Sequence, residues 1–295
     1  MIDTLCLAGG GVKGICYISA IKYLEKVKFF NLKNIKNFVG TSVGSILNFF
    51  FILGYSCDEL KDFILSFDFN KLTLDMDFDN FFDNYGMDNG QKFIITIKTF
   101  LTEKLNVNDI TFLELYKITK KNLIIITTNY TKVCTEIFSY KETPNVSILL
   151  ALRMSMSLPL VFSPVKYNDN FYIDGGLTYN FGLKFCNPDT TFGLSFSNRK
   201  DNKMDSFMNY LNGLLNILSD SITMNSINKL NKYCLNYKFI EIDCEFENPM
   251  DLNLTKEKII LLLKNGTISA EKYYNNFIIN DILENIIDKI IKDNN

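Results

Sequence analysis

"LAGGGVKGICYISAI", Leu7–Ile21, sets the frame for the whole chain. It follows a short apolar run, "TLCLA", that reads as a buried strand, and it leads into Ile15, Tyr17, Ile18, Ile21 and Leu24 at helical spacing. Gly9, Gly11 and Gly14 satisfy G-x-G-x-x-G literally, the form of a loop that cradles a pyrophosphate. The same arrangement of glycines at a helix N-terminus also serves any other developing negative charge.

The residues that follow decide between these uses. "IKNFVG" (Ile35–Gly40) reads as a second strand and "SVGSILNFFFILGY" (Ser42–Tyr55) as a second helix, a β-α-β-α unit typical of a parallel α/β sheet. A dinucleotide-binding unit needs a carboxylate about 20 residues past its glycines to hold the ribose. Here "VKFFNLKNIKNFVG" (Val27–Gly40) contains none, and Glu25 falls too early, on the helix. The second strand ends instead in "GTSVG", Gly40–Gly44, a G-x-S-x-G turn that would present the Ser42 hydroxyl at the carboxyl end of the sheet.

Alone, the pentapeptide is equally an ordinary Gly/Ser turn. Beside Gly9, Gly10 and Gly11 on the preceding strand it gains a purpose, because a serine attacking an acyl carbonyl needs N–H donors for the oxyanion. The chain contains no histidine, which excludes the Ser-Asp-His order and leaves a carboxylate, a lysine or the chain terminus as base. The best-placed carboxylate is Asp174 in "FYIDGGL" (Phe171–Leu177), at a strand end and followed by Gly175 and Gly176. Taken alone, "DGG" reads as a plain turn.

In this order and spacing, "GGGVKG", "GTSVG" and "DGG" resemble the patatin-like phospholipases, serine lipid hydrolases with a Ser-Asp dyad. The resemblance extends through "PNVSILLALRMSMSLPLVFSPVKYNDNFYIDGGLTYN" (Pro144–Asn180) and covers about residues 4 to 197. It implies a three-layer α/β/α fold with a central, mostly parallel sheet. It also implies Ser42 as nucleophile, Asp174 as base, Gly9, Gly10 and Gly11 as oxyanion loop and Lys13 at the loop's basic position, with Gly40, Gly44, Gly175 and Gly176 supporting. Two positions depart from the pattern: Ala8 stands where Asp or Ser is frequent, and Phe181 follows Asn180 where proline is common.

Composition bounds the remainder. At 295 residues and 47% apolar content the chain can bury a large core, and a net charge of −2 without a basic block argues against a nucleic-acid partner. Seven dispersed cysteines without a C-x-x-C pair suit free thiols in a reducing compartment. "MIDTLCL" lacks a signal peptide's charged start, so the sequons at Asn129, Asn145, Asn253 and Asn265 carry little weight. The longest apolar run, Ile46–Leu53, falls far short of the roughly 18 residues that span a bilayer and reads as a buried helix.

"DMDFDNFFDNYGMDNG" (Asp75–Gly90) starts like a calcium loop but has Asn80 at the glycine position and Gly86 at the glutamate position, leaving a solvated acidic loop or lid. The terminal "NNFIINDILENIIDKIIKDNN" carries a two-wide apolar stripe at helical spacing from Ile278 to Ile291, with Asp281, Glu284 and Asp288 making its polar face mixed to acidic, which suits packing on the domain or on a second copy.

The expectation is therefore a catalytic core over residues 1–200 with a mostly helical extension over 201–295 packed on the same domain. The expected activity is cytoplasmic, phospholipase A-type ester hydrolysis at a membrane surface, peripheral on the membrane, with no transmembrane segment and requiring no metal or cofactor. The alternatives are a catalytically silent lipid-binding or effector module on the same fold, and a nucleotide-binding α/β protein.

Overall fold

The structure, a computed structural model, describes residues 1–72, 78–197, 207–232, 237–244 and 252–293. Its strands are β1 (Thr4–Leu7), β2 (Asn37–Thr41), β3 (Gly86–Asp88), β4 (Asn122–Asn129), β5 (Cys134–Phe138), β6 (Leu160–Phe162), β7 (Val165–Tyr167), β8 (Asn170–Asp174), β9 (Thr191–Ser197) and β10 (Lys238–Asp243). The helices are α1 (Ile15–Lys26), α2 (Val43–Ile52), α3 (Cys57–Ser66), α4 (Phe78–Asn84), α5 (Gln91–Leu105), α6 (Phe112–Thr119), α7 (Ile148–Ser155), α8 (Gly176–Tyr179), α9 (Phe207–Lys232) and α10 (Lys256–Asp293).

The main sheet runs β10-β9-β1-β2-β4-β8-β7, with β5 also on β4. Every pair from β10 to β4 is parallel, and β5, β8 and β7 add an antiparallel end. Helices cover both faces, as a parallel sheet buried on both sides requires. Strands β1 and β4 read as near-continuous apolar runs for that reason: Leu5, Cys6, Leu7, Ile125 and Ile126 have no exposed surface. Helix α2 is buried almost throughout, as its phenylalanine run predicts.

The register of β4 places the site. Residues Ile125–Asn129 pair with β5 along one edge. On the other edge β2 occupies Asn122–Ile126 and stops at Thr41, opposite Ile126. Strand β8 takes over that same edge at the next residue, with Asp174 opposite Thr127. The residue after Thr41 and the last residue of β8 therefore meet end to end over β4.

Capping boxes open α3 and α6, at Ser56/Glu59 and Thr111/Glu114. The acidic stretch differs from its expectation where it is described. Residues 73–77 lie outside the described residues, but Gly86–Asp88 pairs with β6 as a two-stranded sheet and is buried. The Asp88 carboxylate is turned inward and accepts the Gly90 amide at 2.6 Å. No cluster of potential metal ligands occurs among the described residues.

The boundary expected at residue 200 falls outside the described residues. Beyond it, β10 joins the main sheet on β9, and α10 packs along α1, where Gly266 comes so close to Cys16 that a Cβ would lie 2.0 Å from its carbonyl oxygen. Of the terminal isoleucine stripe, Ile278, Ile279, Ile282 and Leu283 are exposed. Among the described residues no helix is long and apolar enough to cross a membrane.

Candidate active site

Ser42 stands between β2 and α2 with φ 51° and ψ −126°, a left-handed backbone that an L-residue adopts only when its surroundings enforce it. Three contacts enforce it. The Ser42 N–H donates to Ser155 Oγ at 2.8 Å, and Ser155 in turn donates to the Ile126 carbonyl at 2.7 Å, anchoring the turn to β4. Gly44 packs so tightly on β1 that a Cβ would lie 2.3 Å from the Leu7 carbonyl oxygen. Gly40, just before the turn, holds the strand register opposite Ile125.

Asp174 ends β8 and is 5% exposed. Its main chain is held on both sides: its N–H donates to the Ser157 carbonyl at 2.9 Å, and its carbonyl accepts Thr128 Oγ1 at 2.9 Å. Burial pushes its carboxyl up to about 6, while the Gly176 amide, 2.7 Å from Oδ1, and the Ser42 hydroxyl act the other way by favouring the charged form. Gly175 caps α8 and Gly176 begins it, which aims that amide at the carboxylate.

The glycine loop lies opposite. Gly9 donates its N–H to Asn180 Oδ1 at 3.1 Å, so this amide is used to tie the loop to the segment after Asp174. The Gly10 and Gly11 amides meet no acceptor among the described residues. Gly11 has φ 55°, the left-handed conformation that glycine adopts without penalty. Lys13 sits in the short turn Gly11–Gly14, buried, with Nζ 6.0 Å from the centre of the Phe196 ring. Burial lowers its pKa, opposed by Cys244 and by Asp220 on α9.

Three supports were not assigned from the sequence: Ser155, Asn180 and the pair Tyr17/Phe196. Tyr17 donates to the Ala8 carbonyl at 3.0 Å and stacks on Phe196 at 4.6 Å, so an aromatic pair backs the loop. Ser42, Asp174 and the loop all open into one cavity of about 290 Å³. Its walls are chiefly apolar, with Phe50, Phe63, Phe67, Phe100 and Leu72 among them and residues of α9 across it.

A protein-family comparison matches residues 5–186 to the patatin-like phospholipases. The chain belongs to that family. The uncharacterized protein R571 of Acanthamoeba polyphaga mimivirus is 35% identical over 68% of this chain and 67% of its own. The probable lipid hydrolase 463L of Invertebrate iridescent virus 6 is 33% identical over 70% of this chain and 68% of its own. VipD of Legionella pneumophila shares the fold, with a TM-score of 0.64 at 16% identity over 93% of this chain and 67% of VipD. Within this patatin fold the departure at Phe181 has a packing reason. The ring is 2% exposed and lies against Phe239 at 5.7 Å, close enough to Gly193 that a Cβ there would meet it at 2.6 Å.

Proposed function

We propose that this protein is a phospholipase A-type lipid acyl hydrolase in which Ser42 and Asp174 act as a dyad. The observation that supports it best is the handover on β4, which brings the strained serine turn and a buried, high-pKa carboxylate side by side on the lining of one chiefly apolar cavity.

In the first half-reaction Ser42 Oγ attacks the ester carbonyl carbon and its proton passes to an Asp174 oxygen. The carbonyl oxygen takes the negative charge and is met by the Gly10 and Gly11 amides, with the N-terminus of α2 adding positive potential. Collapse breaks the bond to the lysolipid alkoxide, which takes the proton from Asp174 and leaves as an alcohol. In the second half water attacks the acyl-serine, gives its proton to Asp174, and the proton returns to Ser42 as the fatty acid departs. A carboxyl pushed up to about 6 is better matched to both roles near neutral pH than an ordinary aspartate. The apolar walls suit the acyl chain, and a cytoplasmic enzyme peripheral on membranes fits such a substrate.

Purified protein incubated with a panel of defined phospholipids tests the proposal by release of fatty acid and lysolipid. Turnover that disappears in Ser42→Ala and in Asp174→Asn supports it. Lipid binding without turnover in the unaltered protein would return the chain to a silent lipid-binding module.

A further inference from the structure

We propose that the outer face of α9 docks the protein on a phospholipid bilayer, with the acyl cavity directly beneath. The inference rests on the lipid-hydrolase reading and supplies what that reading leaves open, the surface through which the site meets its substrate.

Helix α9 presents a mixed inner side to the cavity and an apolar outer side. Leu215, Ser219 and Thr223, at i, i+4 and i+8, line the cavity, and Ile227 continues that face into the core beside Tyr179. Tyr210, Leu214, Ile217, Leu218 and Met224 follow i, i+4, i+7, i+8 and i+14 around the other side and are exposed by 42%, 41%, 53%, 53% and 51%. A surface helix of a globular protein ordinarily turns a polar face outward. Single exposed apolar side chains need no explanation, but this row covers about 20 Å of helix at 1.5 Å per residue.

Charge and position select the occupant. Asp220 is the one acidic residue between Phe207 and Lys232, and it faces the cavity. The outer side thus holds no carboxylate to repel lipid phosphates, while Lys229 and Lys232 are exposed at its C-terminal end. The row also lies on the back of the same helix whose front lines the acyl cavity, so a bilayer seated there is one helix thickness, about 10 Å, from the place where its chains must go. The exposed apolar side chains of α10 differ, because the polar face beside that stripe is acidic, with Asp281, Glu284 and Asp288 at its positions.

The test uses the full chain carrying Ser42→Ala, so turnover plays no part and failure of the hydrolase reading leaves the result standing. Cosedimentation is measured with phosphatidylcholine vesicles and with vesicles containing phosphatidylglycerol. Ile217→Asp/Leu218→Asp should lower partitioning on the order of 100-fold with an unchanged thermal melt. Lys229→Glu/Lys232→Glu should lower it selectively on the anionic vesicles, and Val133→Asp, at the exposed β4–β5 turn, should leave it unchanged. Three results would overturn the proposal. They are undiminished vesicle binding by the α9 double aspartate variant, absence of binding by the parent to both vesicle types, or a parent dimer in light scattering that this variant dissociates.

Discussion

Asp174→Asn should stabilise the protein, and by an amount that depends on pH. Burial raises the Asp174 pKa from 3.8 to about 6, so the folded state holds its proton more tightly than the unfolded chain does. Below 3.8 both states are protonated and no penalty exists. Between 3.8 and about 6 the unfolded chain ionises while the folded state keeps the proton, so stability is lost across that window and the full penalty stands above it. Linkage puts the penalty at about 3 kcal/mol at pH 7 and about 1 kcal/mol at pH 4.5. Asparagine is the same shape, can still accept the Gly176 amide, and never ionises. Urea unfolding of both proteins at the two pH values gives a double difference in which every other titrating group cancels. The variant's advantage should be larger at pH 7 by about 2 kcal/mol. An advantage that is equal at both pH values, or smaller at pH 7, refutes the claim that the fold destabilises this carboxylate's charged form.

Other consequences are open to the same treatment. Since Asp174 must be ionised to accept the serine proton, kcat/KM on a neutral ester should rise about tenfold from pH 5 to pH 7; a profile flat to pH 4.5 would give the base an ordinary pKa. Ser155→Ala leaves the Ser42 N–H and the Ile126 carbonyl without their partner, and should cost about 1–3 kcal/mol in denaturant unfolding and on the order of tenfold in kcat; unchanged values would remove Ser155 as the anchor. Gly10→Ala brings a Cβ to 2.4 Å from the Phe196 ring, which Tyr17 holds by stacking, so the loop must move and kcat should fall on the order of 10²-fold; near-native kcat would exclude this amide as an oxyanion donor.

The elements that carry the chemistry were legible because their residues are dictated locally. Gly44 is required by its approach to Leu7, and Gly11 is favoured by its left-handed φ, so both mark the site in the sequence itself. The meeting of Ser42 with Asp174 was not legible from pattern alone. It depends on β8 taking the edge of β4 that β2 vacates, and strand order across a crossover leaves no trace in hydrophobic periodicity. Gly9 illustrates the difference, because its place in the glycine loop is readable whereas the engagement of its amide by Asn180 is a long-range contact. Strand β3 escaped notice because three residues containing a buried aspartate look like loop. Helix α9 is hard to orient for the opposite reason, since its apolar row is exposed while Ser219, Asp220 and Thr223 line the cavity, the reverse of the pattern by which a surface helix is recognised.

The central claim is that Ser42 is a nucleophile activated by Asp174, and a fluorophosphonate probe tests it most directly, because labelling requires an activated serine and no lipid surface. The wild-type protein should incorporate one equivalent, found by peptide mapping on the segment containing Ser42. Ser42→Ala should incorporate none, and Asp174→Asn should label slower by on the order of 10³-fold. Labelling of a different residue, or labelling of Asp174→Asn at the wild-type rate, would contradict the dyad.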